Sequence, residues 1–236
     1  MENVRISEPG SQDADRLVAQ VPVAWWRVGF WACIVISVAV VIRRVFALVY
    51  PPQSPVPQLA ALDEVFASQT TLTLAHILPA LAFVLISPFF VLRRSVNSAW
   101  PEYLLFPLGA VVGITAYAMS VHSVGGWVER SAVLLFNTLF LFSLFLAYWH
   151  RTRREFLLMR RWMIRAIGIL LGIATTRPVM GIFFATSRLT HLEPKQFFGI
   201  AFWIGFTVNT LLVEFWLHRK GEDDRYTNRP HNPVAG

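Results

Sequence analysis

The chain has 236 residues, of which 55% are apolar and only 15% are Asp, Glu, Lys or Arg, against roughly a quarter charged in an ordinary water-soluble domain. That balance excludes a soluble globular fold. The net charge of +7 does not point to nucleic acid, because the arginines flank apolar blocks instead of forming a basic face on a soluble element.

Residues 1–24 are polar and acidic (Glu2, Glu8, Asp13, Asp15) where a cleaved leader would be basic, so the first apolar span is expected to stay in the mature protein. That span opens at Trp25-Trp26-Arg27, runs to Ile42, is interrupted by Arg43-Arg44 and continues to Tyr50. Its Trp and Tyr residues suit the two membrane interfaces, and Arg43 and Arg44 are expected to reach the outer one with their long side chains. Cys33, the only cysteine, lies inside this block, so no intrachain disulfide forms and the residue is expected to be a small buried packing group. Pro51 to Pro57 is too rich in proline for a helix interior and reads as a stiff connector, followed by a short amphipathic piece through Asp63 and Glu64.

Span two runs from about Thr70 to Leu92 without a charge and closes at Arg93-Arg94. Span three covers about Tyr103 to Val121, after Trp100-Pro101, where proline is tolerated in a first turn. Span four, Ser131 to Trp149, leads into His150-Arg151-Thr152-Arg153-Arg154 and then Arg160-Arg161. Span five runs from Trp162 to about Ser187, with a kink expected at Pro178, which lacks a donor and crowds the carbonyl of Ala174. Span six is Phe197 to Leu217, and residues 219–236 are expected to be disordered. The fold expected is all-α: one membrane domain over residues 25–218, built as a bundle of six transmembrane helices.

Alternate loops face the same side, and most Lys and Arg then fall on one side, with Arg43, Arg44, Arg130, Arg188 and Lys195 on the other. By the positive-inside rule both termini are expected in the cytoplasm, with the chain in a bacterial inner membrane and the Arg151 to Arg161 loop touching anionic lipid.

Within the spans, Gly109 with Gly113 and Gly168 with Gly172 stand four apart, each pair on one helical face, where helices are expected to touch. Polar residues at membrane depth carry more information, since each needs a partner or a wet cavity. At 1.5 Å per residue His76 lies roughly 9 Å below the outer start of span two, and Arg177 roughly 24 Å above Arg161, again in the outer half. Asn137 and His122 fall at a similar level. The four predict an outward-facing polar pocket, with Arg177 suited to an anion and His76 to proton transfer or ligation. The plainer alternative has Arg177 reaching outer headgroups and His76 bonding a neighbouring helix. At the inner ends, Arg165, Glu214 and His218 suggest a structural ion pair.

Histidines at matched depths also allow haem b, with His76 paired to His122 outside and His150 to His218 inside. No phosphate loop, zinc-protease helix or nucleophile with a base beside it occurs, so an enzyme of soluble type is not expected.

The stretch Arg153-Arg154-Glu155-Phe156-Leu157-Leu158-Met159-Arg160-Arg161-Trp162-Met163-Ile164-Arg165 resembles a bacterial multi-pass membrane family, domain of unknown function 2306, with its basic residues, acid and His-Arg-x-Trp-Met-x-Arg block. His76 and Arg93-Arg94 are similar to the histidine and basic stretch of an earlier span in that family. Met159 stands where the family usually has His, and Ser95 to Tyr103 lacks its His-Arg and Gly-Arg pairs. The resemblance implies a multi-pass membrane protein and no particular activity. From the residues, the expected function is a non-enzymatic binding or transport-type bundle for a small anion, lipid headgroup or proton; the alternatives are a haem or quinone redox protein and a scaffold or assembly subunit.

Overall fold

A backbone surrounded by hydrocarbon must bond its own N–H and C=O groups, and runs of Leu, Val, Ile and Phe of some 20 residues do so as helices. The computed structural model describes residues 10–50, 68–92, 100–123, 125–190 and 194–227. The Pro51 to Pro57 connector, Asp63, Glu64, Arg93 and Arg94 lie outside them. Among the described residues the structure is helical without strands: α1 (Gly10–Val49), α2 (Thr70–Val91), α3 (Trp100–Ser120), α4 (Gly126–Thr152), α5 (Phe156–Leu170), α6 (Gly172–Thr190) and α7 (Pro194–Thr227). Six spans are long and apolar enough to cross a membrane, α5 and α6 together making the fifth. The outward faces carry exposed large apolar residues such as Phe46, Leu78, Ile114, Phe142, Ile182 and Leu211, as a lipid-facing surface requires.

Three differences from the sequence reading concern boundaries. α1 begins at Gly10, within the polar N-terminal segment. α7 continues to Thr227, past its apolar part, with Arg219 and Lys220 over the Phe215 and Trp216 rings; residues 228–236 lie outside the described residues. The fifth span is broken at Leu171, and Pro178 sits inside α6. Ala174 N–H bonds the Leu171 carbonyl three residues back at 2.9 Å, a tightened turn that contains Gly172. Asn209 of α7 donates to the Gly168 carbonyl at 2.7 Å, serving the backbone where the helix breaks.

Neighbours in the chain pack as hairpins, α2 on α3 and α6 on α7, while α4 contacts α3, α5 and α7. The interior is closed by Phe83, Leu105, Met163, Ile167 and Phe197, each with 2% exposure or less. Met159 is buried in this core, and Cys33 is only half-buried against it. The two glycine pairs do mark close contacts. A Cβ on Gly113 would enter Leu141 of α4, and one on Gly168 would enter Val213 of α7. α1 is the outlying helix, packed against α2 and α6, with 11% of its apolar window buried against 44% for the fifth span.

The end of the bundle carrying Arg151 to Arg165 is tied internally. Arg160 Nη2 donates to the Val91 carbonyl at the close of α2 (2.9 Å), and Arg161 Nη2 to the Leu217 carbonyl on α7 (3.4 Å). Arg151 pairs with Glu102 of α3, Nε to Oε2 at 2.7 Å, and Arg165 with Glu214. These arginines therefore join helices within the bundle as well as contributing charge near a membrane surface.

A polar-mouthed cavity at one end of the bundle

At the opposite end, six of the seven helices line a cavity of about 260 Å³ and α5 adds its last turn. The sequence placed His76, His122, Asn137 and Arg177 at a common depth from four different spans, and all four line this cavity. They play different parts in it.

His76 of α2 meets Thr115 of α3, Nδ1 to Oγ1 at 2.9 Å. Thr115 in turn donates to α3 backbone carbonyls, so the ring is anchored across the α2–α3 hairpin. Asn137 of α4 donates from Nδ2 to the Gly113 carbonyl at 2.9 Å. The absent side chain of Gly113 is what lets α4 approach, and Asn137 occupies the same relation to it that Asn209 has to Gly168. Both side chains are thus partly committed to joining helices. His122 follows α3 and is exposed at the mouth.

Arg177 differs. It is carried by α6 one turn after the start of that helix, half-buried, with its Nε fully enclosed and without a hydrogen-bond partner among the described residues. Its recorded polar contact is a long one, Nη1 to Met180 Sδ at 3.9 Å. A guanidinium is a rigid fork of five donors and stays charged, so enclosing it with donors unused is costly unless something in the cavity accepts from them.

Two further charged residues line the same space. Glu129 is 7% exposed and accepts from Gly125 N–H through Oε2 at 2.6 Å. Hydropathy alone starts span four at Ser131 and assigns Glu129 to the loop before it. Its signal was an acid in the first turn after Gly125-Gly126, where a carboxylate can reach back to the free N–H groups of a helix start. Arg44 of α1 turns into the cavity while Arg43 faces outward. Consecutive helical residues point about 100° apart, so the two arginines leave α1 in different directions at this end of the helix. The lining thus holds two guanidinium groups and one carboxylate.

Polarity is graded along the cavity. Gln69, Ser120, Ser123 and Glu129 stand at helix ends near the mouth, and Leu81, Val84, Phe140 and Ile169 line the interior. Phe198, Phe202 and Phe206 form a ladder down one wall. Ser37 of α1, about 10 Å below Arg44 along the helix, contributes a buried hydroxyl without a partner among the described residues.

Of the inner residues, Arg165 and Glu214 are brought together, while His218 is exposed at the end of its span. His150 bonds Glu155, Nδ1 to Oε2 at 2.5 Å. Of the histidines considered for haem, His76 and His122 share the cavity and His150 and His218 do not line it.

The model of a family described as predicted membrane protein, DUF2306, matches residues 73–217. No curated protein and no solved structure matches the chain. The matched segment holds α2 through the apolar part of α7, so the α1 wall of the cavity, with Ser37 and Arg44, lies outside it.

Proposed function

We propose that this chain, which belongs to the DUF2306 family of predicted membrane proteins, is a multi-pass protein that binds a small anion in the polar-mouthed cavity. The observation that carries the reading is Arg177: a guanidinium lining a cavity, its Nε enclosed and without a partner among the described residues, supplies donors and charge that an anion would use. Arg44 and Glu129 also line the cavity, so its wall carries two guanidinium groups and one carboxylate. His76 and Asn137 hold the α2–α3 and α3–α4 packing that shapes the walls.

The arginine bias supports placing the Arg151 to Arg161 end in the cytoplasm and the cavity mouth on the outer side of a bacterial inner membrane, with both termini inside. In a Cys33→Ser background on intact cells, Ser123→Cys would then react with a membrane-impermeant maleimide and Arg153→Cys would not; the reverse pattern inverts the orientation.

The test of binding is thermal unfolding of purified protein in neutral detergent, with and without a panel of inorganic and organic anions. Wild type is expected to be stabilised by at least one anion, and Arg177→Met to lose that stabilisation. Indifference to every anion, or equal shifts in both proteins, would overturn the reading.

A further inference from the structure

We infer that the anion is the head of a single-chain amphiphile of about ten non-hydrogen atoms. This deepens the proposed anion site and rests on it. The cavity is the wrong shape and chemistry for a hydrated inorganic ion alone: below Arg177 the walls pass to Leu81, Val84, Phe140 and Ile169, and the Phe198 to Phe206 ladder offers only ring faces and edges. An ion bound at the mouth would leave this interior either empty or filled with water that finds little but Ser37 to bond. An apolar tail removes that surface from water and leaves the charge at the guanidinium.

Size sets the class further. An engineered apolar cavity of about 150 Å³ accommodates one benzene, so about 260 Å³ holds roughly ten such atoms on the same scale. The axial distance from Arg177 back to Ile169 is about 12 Å along α6 and the end of α5, room for a short chain and too little for two acyl chains. The ligand chemistry is therefore one carboxylate or phosphate head on a single medium-length apolar tail, with the head against Arg177 and the tail pointing toward the bundle interior.

The experiment compares octanoate, acetate and 1-octanol at equal free concentration on the full chain in neutral detergent, by calorimetry or thermal shift. Each methylene moved out of water multiplies affinity about fourfold, so octanoate is expected to bind at least tenfold more tightly than acetate. It should also exceed 1-octanol by at least tenfold, an advantage that Arg177→Met abolishes. Across hexanoate, octanoate and dodecanoate the gain should stop at about eight carbons, and Ala80→Phe should weaken octanoate without altering acetate. Should Ala80→Phe fail to fold, the chain-length series on wild type decides the same point. Equal, Arg177-dependent binding of acetate and octanoate would overturn the amphiphile and keep the anion site. Binding of 1-octanol as strong as octanoate and indifferent to Arg177→Met would overturn both, as would no binding at all.

Discussion

Arg165 on α5 holds Glu214 on α7 through two hydrogen bonds, Nε to Oε1 at 2.5 Å and Nη2 to Oε2 at 3.0 Å. The guanidinium also lies 4.4 Å from the Trp162 ring centre, so a planar fork is used on its edge and its face together. Yet the two side chains are 25% and 46% exposed, and exposed pairs contribute only about 1 kcal/mol or less. Glu214→Gln is expected to lower stability by no more than that, and Arg165→Lys, which loses both the fork and the stacking, by somewhat more. Thermal unfolding in detergent reads both; a larger loss for Glu214→Gln than for Arg165→Lys would contradict this account.

The pair between Arg151 and Glu102 should behave otherwise. Here the acid is 9% exposed and the arginine 24%, and the guanidinium sits among the Tyr103 and Phe156 rings. Removing one partner of an enclosed pair leaves a charge without compensation, which costs about 3 kcal/mol. Glu102→Gln should therefore destabilise clearly more than Glu214→Gln, and joint replacement of Glu102 and Arg151 by Leu should recover most of the loss. The same unfolding assay checks the ranking, and equal losses would refute it.

These contacts mark where sequence reading stops. Apolar blocks of span length made the six helices visible, because the bilayer imposes both their length and their helicity. Helical rise alone was enough to bring His76, Asn137 and Arg177 to one level. The break at Leu171 was not legible: the residues on both sides are apolar, and the tightened turn depends on Asn209 arriving from α7. Glu102 and Glu129 were missed for a related reason. Each lies in a first helical turn that hydropathy assigns to a loop, and only the neighbouring helix or turn reveals its partner. That Arg44 lines the cavity depends on how α1 lies on α2 and α6, which no local pattern records.

Gly205 offers a test of the packing that positions the cavity. A Cβ there would lie 2.7 Å from Thr176 N and 2.9 Å from Thr176 Cα, so it meets backbone that does not yield as a side-chain tip would. Gly205→Ala is expected to lose about 1–3 kcal/mol through overpacking. The three atoms nearest a Cβ on Gly113 all belong to the Leu141 side chain, and the gain in helix propensity of Gly113→Ala, up to about 1 kcal/mol, offsets much of the cost. Because Thr176 precedes Arg177, the Gly205 variant should also weaken the anion response. A Gly205→Ala protein as stable as wild type would mean that α6 and α7 slide apart freely.

The sharpest prediction concerns the residue on which function is proposed to rest. If Arg177 were there to support the fold, its donors would be engaged, as those of Arg160 and Arg165 are; instead its Nε is enclosed without a partner among the described residues. An enclosed donor left unused costs about 1–3 kcal/mol, and methionine keeps much of the stem's volume while removing the charge. Arg177→Met should therefore make the unliganded protein more stable by about that amount while abolishing stabilisation by anions. Opposite signs in the two measurements distinguish a binding residue from a structural one, since activity-bearing sites commonly carry such a stability deficit. A loss of stability in the anion-free variant would assign Arg177 to the architecture and remove the main support for the binding site.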